Sequence, residues 1–234
     1  MVSALVPLRP TLLACRQLDD ADDSLCRAWF GDIGAGRALG LVTVDQDDAT
    51  YIALDEATKH AAVDVAFARS FYAGSKHASG PYSGEILGVV RGQTPDDVAE
   101  ALWVIKEHLR EGVCFHTFAG EPFASKGGPA FLAHVVSECG TYLAREAGVD
   151  VGAPFAYLIA PPLEAAVAVD AALKAARVRL AKWIAPPSET NFAGAFLSGD
   201  LAEVVAAKDA FVDAIYDVAT RPLLGARRPE RLRR

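Results

Sequence analysis

The chain has 234 residues, of which 52% are apolar, enough to pack one large domain or two small ones. Its formal net charge of −7 argues against non-specific nucleic-acid binding. No apolar run reaches the roughly 18–20 residues of a membrane span, and the best candidate, 151–169, holds Pro161, Pro162 and Glu164.

Residues 1–15 are interrupted by Pro7, Arg9 and Pro10 and do not read as a secretory signal. Cys15, Cys26, Cys114 and Cys139 show no C-x-x-C spacing. A reducing cytoplasm and no disulfide framework are therefore expected. In chain order, apolar spacing predicts a helix over 11–30, with Leu12, Leu13, Leu18, Leu25 and Trp29 buried. A strand follows over 38–44. Asp45, Asp47 and Asp48 read as an acidic turn, 50–54 as a short strand and 55–69 as a helix. The Gly-, Ser- and Pro-rich stretch 70–84 has no period and reads as a long loop. Then come a strand at 85–90 and a helix at 94–110 with Thr94 as its N-cap. A strand at 113–118, a loop at 119–128 and a helix from Pro129 to 147, closed by Gly148, follow. The remainder reads as a strand at 155–159, a helix at 164–180, a strand at 181–185, a loop at 186–192, a strand at 193–197 and a helix at 200–220 capped by Asp200.

A repeat runs through this order. D-E-A-T-K-H-A from Asp55 and D-A-A-L-K-A-A from Asp170 share Asp, Ala, Lys and Ala at an offset of 115. Later, Val98 matches Val204 and Ala101 matches Ala207 at an offset of 106. One helix written twice means one folding unit written twice. Most of the lost offset falls between loop 70–84 and the shorter loop 186–192, so the frame is duplicated and the loops are not. Each unit is an α+β layer, a small antiparallel sheet with packed helices. The domains expected are 1–118, with an N-terminal lead-in, and 119–222, with a leading helix. Residues 223–234 form a basic tail.

The motif chemistry is sparse. His108, Cys114 and His116 match no standard zinc spacing. The stretch G-D-I-G-A-G at 31–36 precedes a strand, so it fails as a dinucleotide loop. No nucleophile with a base beside it is found, so no enzyme, metal or cofactor is expected.

The helix D-A-A-L-K-A-A-R-V, followed by a short loop, a strand ending in Gly199 and a helix, resembles the bacterial microcompartment shell domain. The tandem wording is similar to the ethanolamine-utilisation type. It includes D-D-A-T-Y-I-A-L-D-E-A-T-K from Asp47, S-F-Y-A-G from Ser70, F-L-A-H-V-V-S from Phe131, A-Y-L-I-A-P-P-L-E-A from Ala156 and P-P-S-E-T-N-F from Pro186. The resemblance implies a pseudo-hexameric homotrimer that tiles edge to edge with other shell proteins. Lys59 and Lys174 match the tile-edge lysine. A gated central pore would be lined by Tyr72, Gly74, His77, Tyr82, Ser188, Glu189, Thr190 and Asn191. A small acidic channel in each subunit would lie beside Asp47, Asp48, Glu85 and Phe115, and would admit a small cationic solute such as ethanolamine. The function expected is a structural shell component that gates substrates, products or cofactors, with no nucleic-acid or membrane partner. The alternative is a small-molecule-binding regulatory trimer.

Overall fold

The computed structural model describes residues 4–31, 36–71, 86–125, 127–186, 188 and 192–223. The first half contains strands β1 (Leu5–Leu8), β2 (Leu12–Leu18), β3 (Ala38–Val44), β4 (Val63–Ser70), β5 (Ile86–Gly92) and β6 (Phe115–Phe118). Its helices are α1 (Asp23–Phe30), α2 (Asp47–His60) and α3 (Pro95–Glu107), the last running into a π-helical turn at His108–Gly112. The second half contains β7 (Leu132–Val136), α4 (Thr141–Ala147), β8 (Phe155–Ala160), α5 (Pro162–Ala175), β9 (Arg179–Ile184), β10 (Ala193–Ser198) and α6 (Leu201–Thr220).

Two four-stranded antiparallel sheets result, ordered β2-β3-β5-β4 and β7-β8-β10-β9. The orders coincide element by element: α1 corresponds to α4, α2 to α5 and α3 to α6. The registers coincide too. Leu18 lies opposite Leu39 as Val136 lies opposite Phe155. The repeated D-x-A-x-K-x-A wording falls on α2 and α5, both 14 residues long. β1 stands apart and pairs antiparallel with β6, which itself bridges to Phe131.

Several elements differ from the expectation. Residues 11–30 are a strand and a helix rather than one helix. Leu12–Leu18 joins the ladder of β3, and Asp22 starts α1 by accepting the Ser24 N–H at 2.8 Å. Asp47 and Asp48 are not a turn, nor is 50–54 a strand; both lie in α2, the two carboxylates in the first turn, where the helix dipole favours negative charge. α2 ends at His60, and the chain to Ser70 is a strand paired to β5. In the repeat, α5 ends at Ala175 rather than at 180, and the strand expected at 181–185 is β9, which begins at Arg179. The helix predicted from Pro129 is instead β7 followed by α4. Thr94 caps α3 through a reciprocal box with Asp97, and Gly148 closes α4 in the left-handed conformation, both as the sequence indicates. Asp200 precedes α6 without a side-chain cap bond.

The largest core is continuous across the halves, joining Val42, Ile52 and Ile105 to Leu132, Leu143, Phe155 and Phe196. A second core lies between the β7–β10 sheet and α5/α6, centred on Leu158, Ala168, Phe211 and Ile215. Alanines in α5 let the two helices approach the sheet and each other closely. A third, small cluster packs Cys26 of α1 on Leu39 and Val89.

Candidate functional site

The site lies on the seam where α2 and β4 of the first half meet α4 and the second sheet. The seam is built on Asp55, which is 1% exposed. Its Oδ2 accepts the Gly140 N–H at 2.7 Å and its Oδ1 accepts the Leu143 N–H at 2.8 Å. These are orphan donors of the α4 N-terminus, so one half caps a helix of the other. Burial pushes the Asp55 carboxyl above its ordinary range, while these two bonds and Lys59 pull it back. Thr58 Oγ1 accepts the Thr141 N–H at 3.2 Å, and Lys59 Nζ donates to the Glu138 carbonyl at 3.0 Å. A Cβ at residue 140 would sit 2.3 Å from Thr58 Oγ1, so only glycine allows this approach.

Beside this anchor the seam opens into a cleft of about 720 Å³. Asp47, Asp48 and Tyr51 of α2 line it, with Tyr142 of α4, Tyr157 of β8 and Phe196 of β10. Both aspartates are buried. Asp48 Oδ1 accepts the Tyr157 hydroxyl at 2.6 Å, and Asp47 Oδ1 accepts the Asp48 N–H at 2.8 Å. Burial raises the Tyr157 hydroxyl well above its ordinary pKa, and the Asp48 charge raises it further, so it stays protonated and donates. Arg69, Arg145 and Lys182 are exposed cations on the same walls. Arg145 lies over the Tyr142 ring at 5.6 Å and Lys182 over the Phe196 ring at 5.8 Å. Lys182 Nζ is also 3.5 Å from Glu146. The cleft thus has a carboxylate floor, aromatic walls and a rim of mixed charge. That combination suits a small organic cation.

The sequence-derived residues divide clearly. Asp47, Asp48 and Ser188 come together on this cleft. Phe115 does not line it. It is buried in the shared core, with its ring 5.9 Å from that of Phe192. Lys59 is held in the seam and pairs with Glu56, while Lys174 is exposed and reaches Asp170 at 2.6 Å. Ser188 N–H donates to the Phe192 carbonyl at 3.2 Å. Tyr72, Gly74, His77, Tyr82, Glu85, Glu189, Thr190 and Asn191 lie outside the described residues. Cys114 Sγ is 3.8 Å from His116 Nε2, and the His108 ring meets His134 edge-on. Among the described residues no group of three His, Cys, Asp or Glu side chains is placed to hold a metal ion. Tyr51, Tyr142 and Tyr157 are the residues that sequence reading missed. Tyr51 sits one helical turn after Asp47, a signal hidden once 45–54 is taken as turn and strand.

Among the described residues, the polar floor of the cleft is not repeated in the other half. Pro162 and Leu163 occupy the α5 positions that correspond to Asp47 and Asp48, and Leu41 of β3 corresponds to Tyr157.

A duplicated α+β unit with this sheet order defines a tandem microcompartment-type shell fold. The BMC domain family model matches residues 38–119. Over 220 residues, 94% of this chain and 98% of the relative, the sequence is 44% identical to the bacterial microcompartment shell protein EutL of Salmonella typhimurium. It is 48% identical to EutL of Escherichia coli over 80% of this chain and 83% of that protein. The crystal structure of the ethanolamine utilization protein EutL from Leptotrichia buccalis superposes with a TM-score of 0.86 at 41% identity, covering 96% of this chain and all of that one. The chain belongs to the EutL family of bacterial microcompartment shell proteins. Its place is the microcompartment shell. Among the described residues no helix is long and apolar enough to cross a membrane.

Proposed function

We propose that three copies close into a ring of six half-chains, and that this pseudo-hexagonal tile packs with other shell proteins around an ethanolamine-utilising compartment. The observation that carries the reading is the seam. α2 is covered by α4 within the chain, whereas α5, its repeat, leaves Leu163 and Val167 exposed. A chain with one filled seam and one open seam of the same kind is a link in a head-to-tail ring. The halves divide at residues 118/119, and 223–234 is a basic extension. The role is structural and gating, without catalysis.

In this reading two kinds of opening cross the tile. Loops 70–84 and 186–192, repeated three times around the axis, line a central pore through Tyr72, Gly74, His77, Tyr82, Ser188, Glu189, Thr190 and Asn191. The seam cleft is the small channel, and its buried Asp47 and Asp48, together with Glu85, receive a cationic solute such as protonated ethanolamine. Phe115 supports that channel from behind, through Phe192, rather than touching the solute. Lys59 and Lys174 sit at the outer ends of the seams, where tiles meet.

Sedimentation and electron microscopy of the full chain test the tile. A trimer that forms flat hexagonal arrays, alone or with other shell proteins, is expected. A monomer at all concentrations would overturn the reading. Titration calorimetry with ethanolamine hydrochloride tests the cleft separately. Binding that vanishes on neutralising the floor carboxylates is expected, and binding unchanged by that substitution would remove the channel assignment.

A further inference from the structure

Because the halves correspond element by element, the seam inside the chain specifies the seam between chains. This inference rests on the ring reading above. Inside the chain, α2 and β4 face β7 and α4. The counterparts left facing outward are α5 and β9 on one side of the chain and β2 and α1 on the other. Ile52 and Val65 are 3% and 7% exposed, but their repeats Val167 and Leu180 are 46% and 41% exposed. On the facing side, Val136 and Leu143 are 4% and 1% exposed, whereas their repeats Leu18 and Leu25 are 38% and 44% exposed. The chain therefore carries two open apolar faces, each the counterpart of a surface that is buried in the inner seam.

Their charges are complementary in a way the inner seam is not. The α5–β9 face carries Lys174, Arg177, Arg179 and Lys182 where α2–β4 has Lys59, Ala62, Asp64 and Phe67. The β2–α1 lip carries Asp19, Asp20, Asp22 and Asp23 where β7–α4 has Ser137, Glu138, Gly140 and Thr141. Arg37 pairs with Asp20 and Asp23 on that lip and Arg27 with Asp23, and the Asp20 side chain stays 68% exposed. The Asp55 anchor cannot recur there. Asp22 replaces Gly140 and already caps α1 through Ser24, and Asp170, the repeat of Asp55, is engaged by Lys174.

We propose that Lys174 of one copy pairs with Asp20 of the next, in the place where Lys59 meets Glu138 within the chain. Around that pair, Leu18 and Leu25 of one copy pack against Val167 and Leu180 of the other. A steered ionic contact over an apolar patch thus replaces the buried carboxylate anchor at the seam that has to form between separate molecules. The reason is physical. A carboxylate that is solvated on the free chain and buried in the seam is costly to desolvate on every encounter, whereas complementary surface charge speeds and orients association.

Sedimentation equilibrium of the full chain at low and high salt tests this. Lys174→Glu and Asp20→Lys are each expected to weaken trimerisation about tenfold, and the double swap to bring it back to within about twofold of wild type. Added salt should weaken the wild-type trimer. Leu25→Asp should leave a folded monomer by circular dichroism. A Lys174→Glu chain that trimerises like wild type, or a double swap that fails to restore association, overturns the proposal. A Lys174→Glu trimer that merely fails to form arrays also overturns it, leaving that lysine on the tile perimeter alone. A wild-type chain that never self-associates defeats the ring reading itself, a result distinct from either.

Discussion

Asp55 Oδ1 accepts the N–H of Leu143 at 2.8 Å across 88 residues of chain. The bond is a helix cap delivered by the other half of the molecule. α4 is only seven residues long, too short to be stable alone, so it forms together with the seam. Replacing Asp55 by Ala leaves the Gly140 and Leu143 N–H groups buried without that acceptor and should cost about 3 kcal/mol. Asp55→Asn offers one oxygen but turns an amide donor toward the second N–H, so an intermediate loss is expected. Urea unfolding measures both. An Asp55→Ala midpoint equal to wild type would show that the cap is replaceable.

The Asp48–Tyr157 pair sets the floor of the cleft. Asp48→Asn removes its negative charge and should weaken binding of a small protonated amine about tenfold, as for a desolvated charge contact. Tyr157→Phe keeps the charge and the ring but removes one donor to the carboxylate. It should alter affinity less than Asp48→Asn, which titration calorimetry would resolve. Equal affinities for all three proteins would exclude the floor as the recognition element.

His134 lies on the seam against the His108 ring, with centroids 6.4 Å apart. Desolvation is the main cause that lowers its pKa from 6.5 to about 4, and His108 and Lys59 add to it. Glu56 opposes the shift. The neutral form is therefore favoured in the folded protein, and as pH falls the unfolded chain takes up the proton first. Stability should be complete above pH 6.5 and decline by up to about 3 kcal/mol as pH falls toward 4. His108 and His116, whose pKa values are also lowered by burial, act in the same direction. Urea midpoints at pH 7.5 and 4.5 should differ less for His134→Gln than for wild type. Parallel shifts would assign the acid sensitivity elsewhere.

Lys59 holds the Glu138 carbonyl within one chain. That seam is covalently tethered, so Lys59→Glu cannot dissociate it. If Lys59 lies at the tile edge as proposed, the variant should remain trimeric while losing flat arrays. Normal arrays in micrographs of the variant would remove Lys59 from the tile edge.

The sequence stretch 70–84 is eight residues longer than its repeat once the offsets are compared. Deleting 75–82 removes that excess and should change solute flux through reconstituted shells without lowering the unfolding midpoint. Unchanged flux would argue that this loop does not line the central pore.

The amino-acid sequence was sufficient for the duplication, for the pairing of α2 with α5 and α3 with α6, and for the α+β class. All of these are written as short, local wording that repeats. Thr94 and Gly148 were legible for the same reason: capping chemistry lies within a few residues of its helix. The strand after α2 was not legible, because β4 owes its form to its ladder with β5, whereas β9 was legible from residue 181 on and only its first two residues were read into the preceding helix. Asp47 and Asp48 looked like a turn because clustered Asp favours turns and helix starts alike, and only the packing of α2 decides between them. The cleft was decided by tertiary structure alone. Asp48 and Tyr157 are 109 residues apart, Asp55 and Gly140 are 85 apart, and no spacing rule connects a carboxylate to a backbone donor it meets only after two folded halves dock.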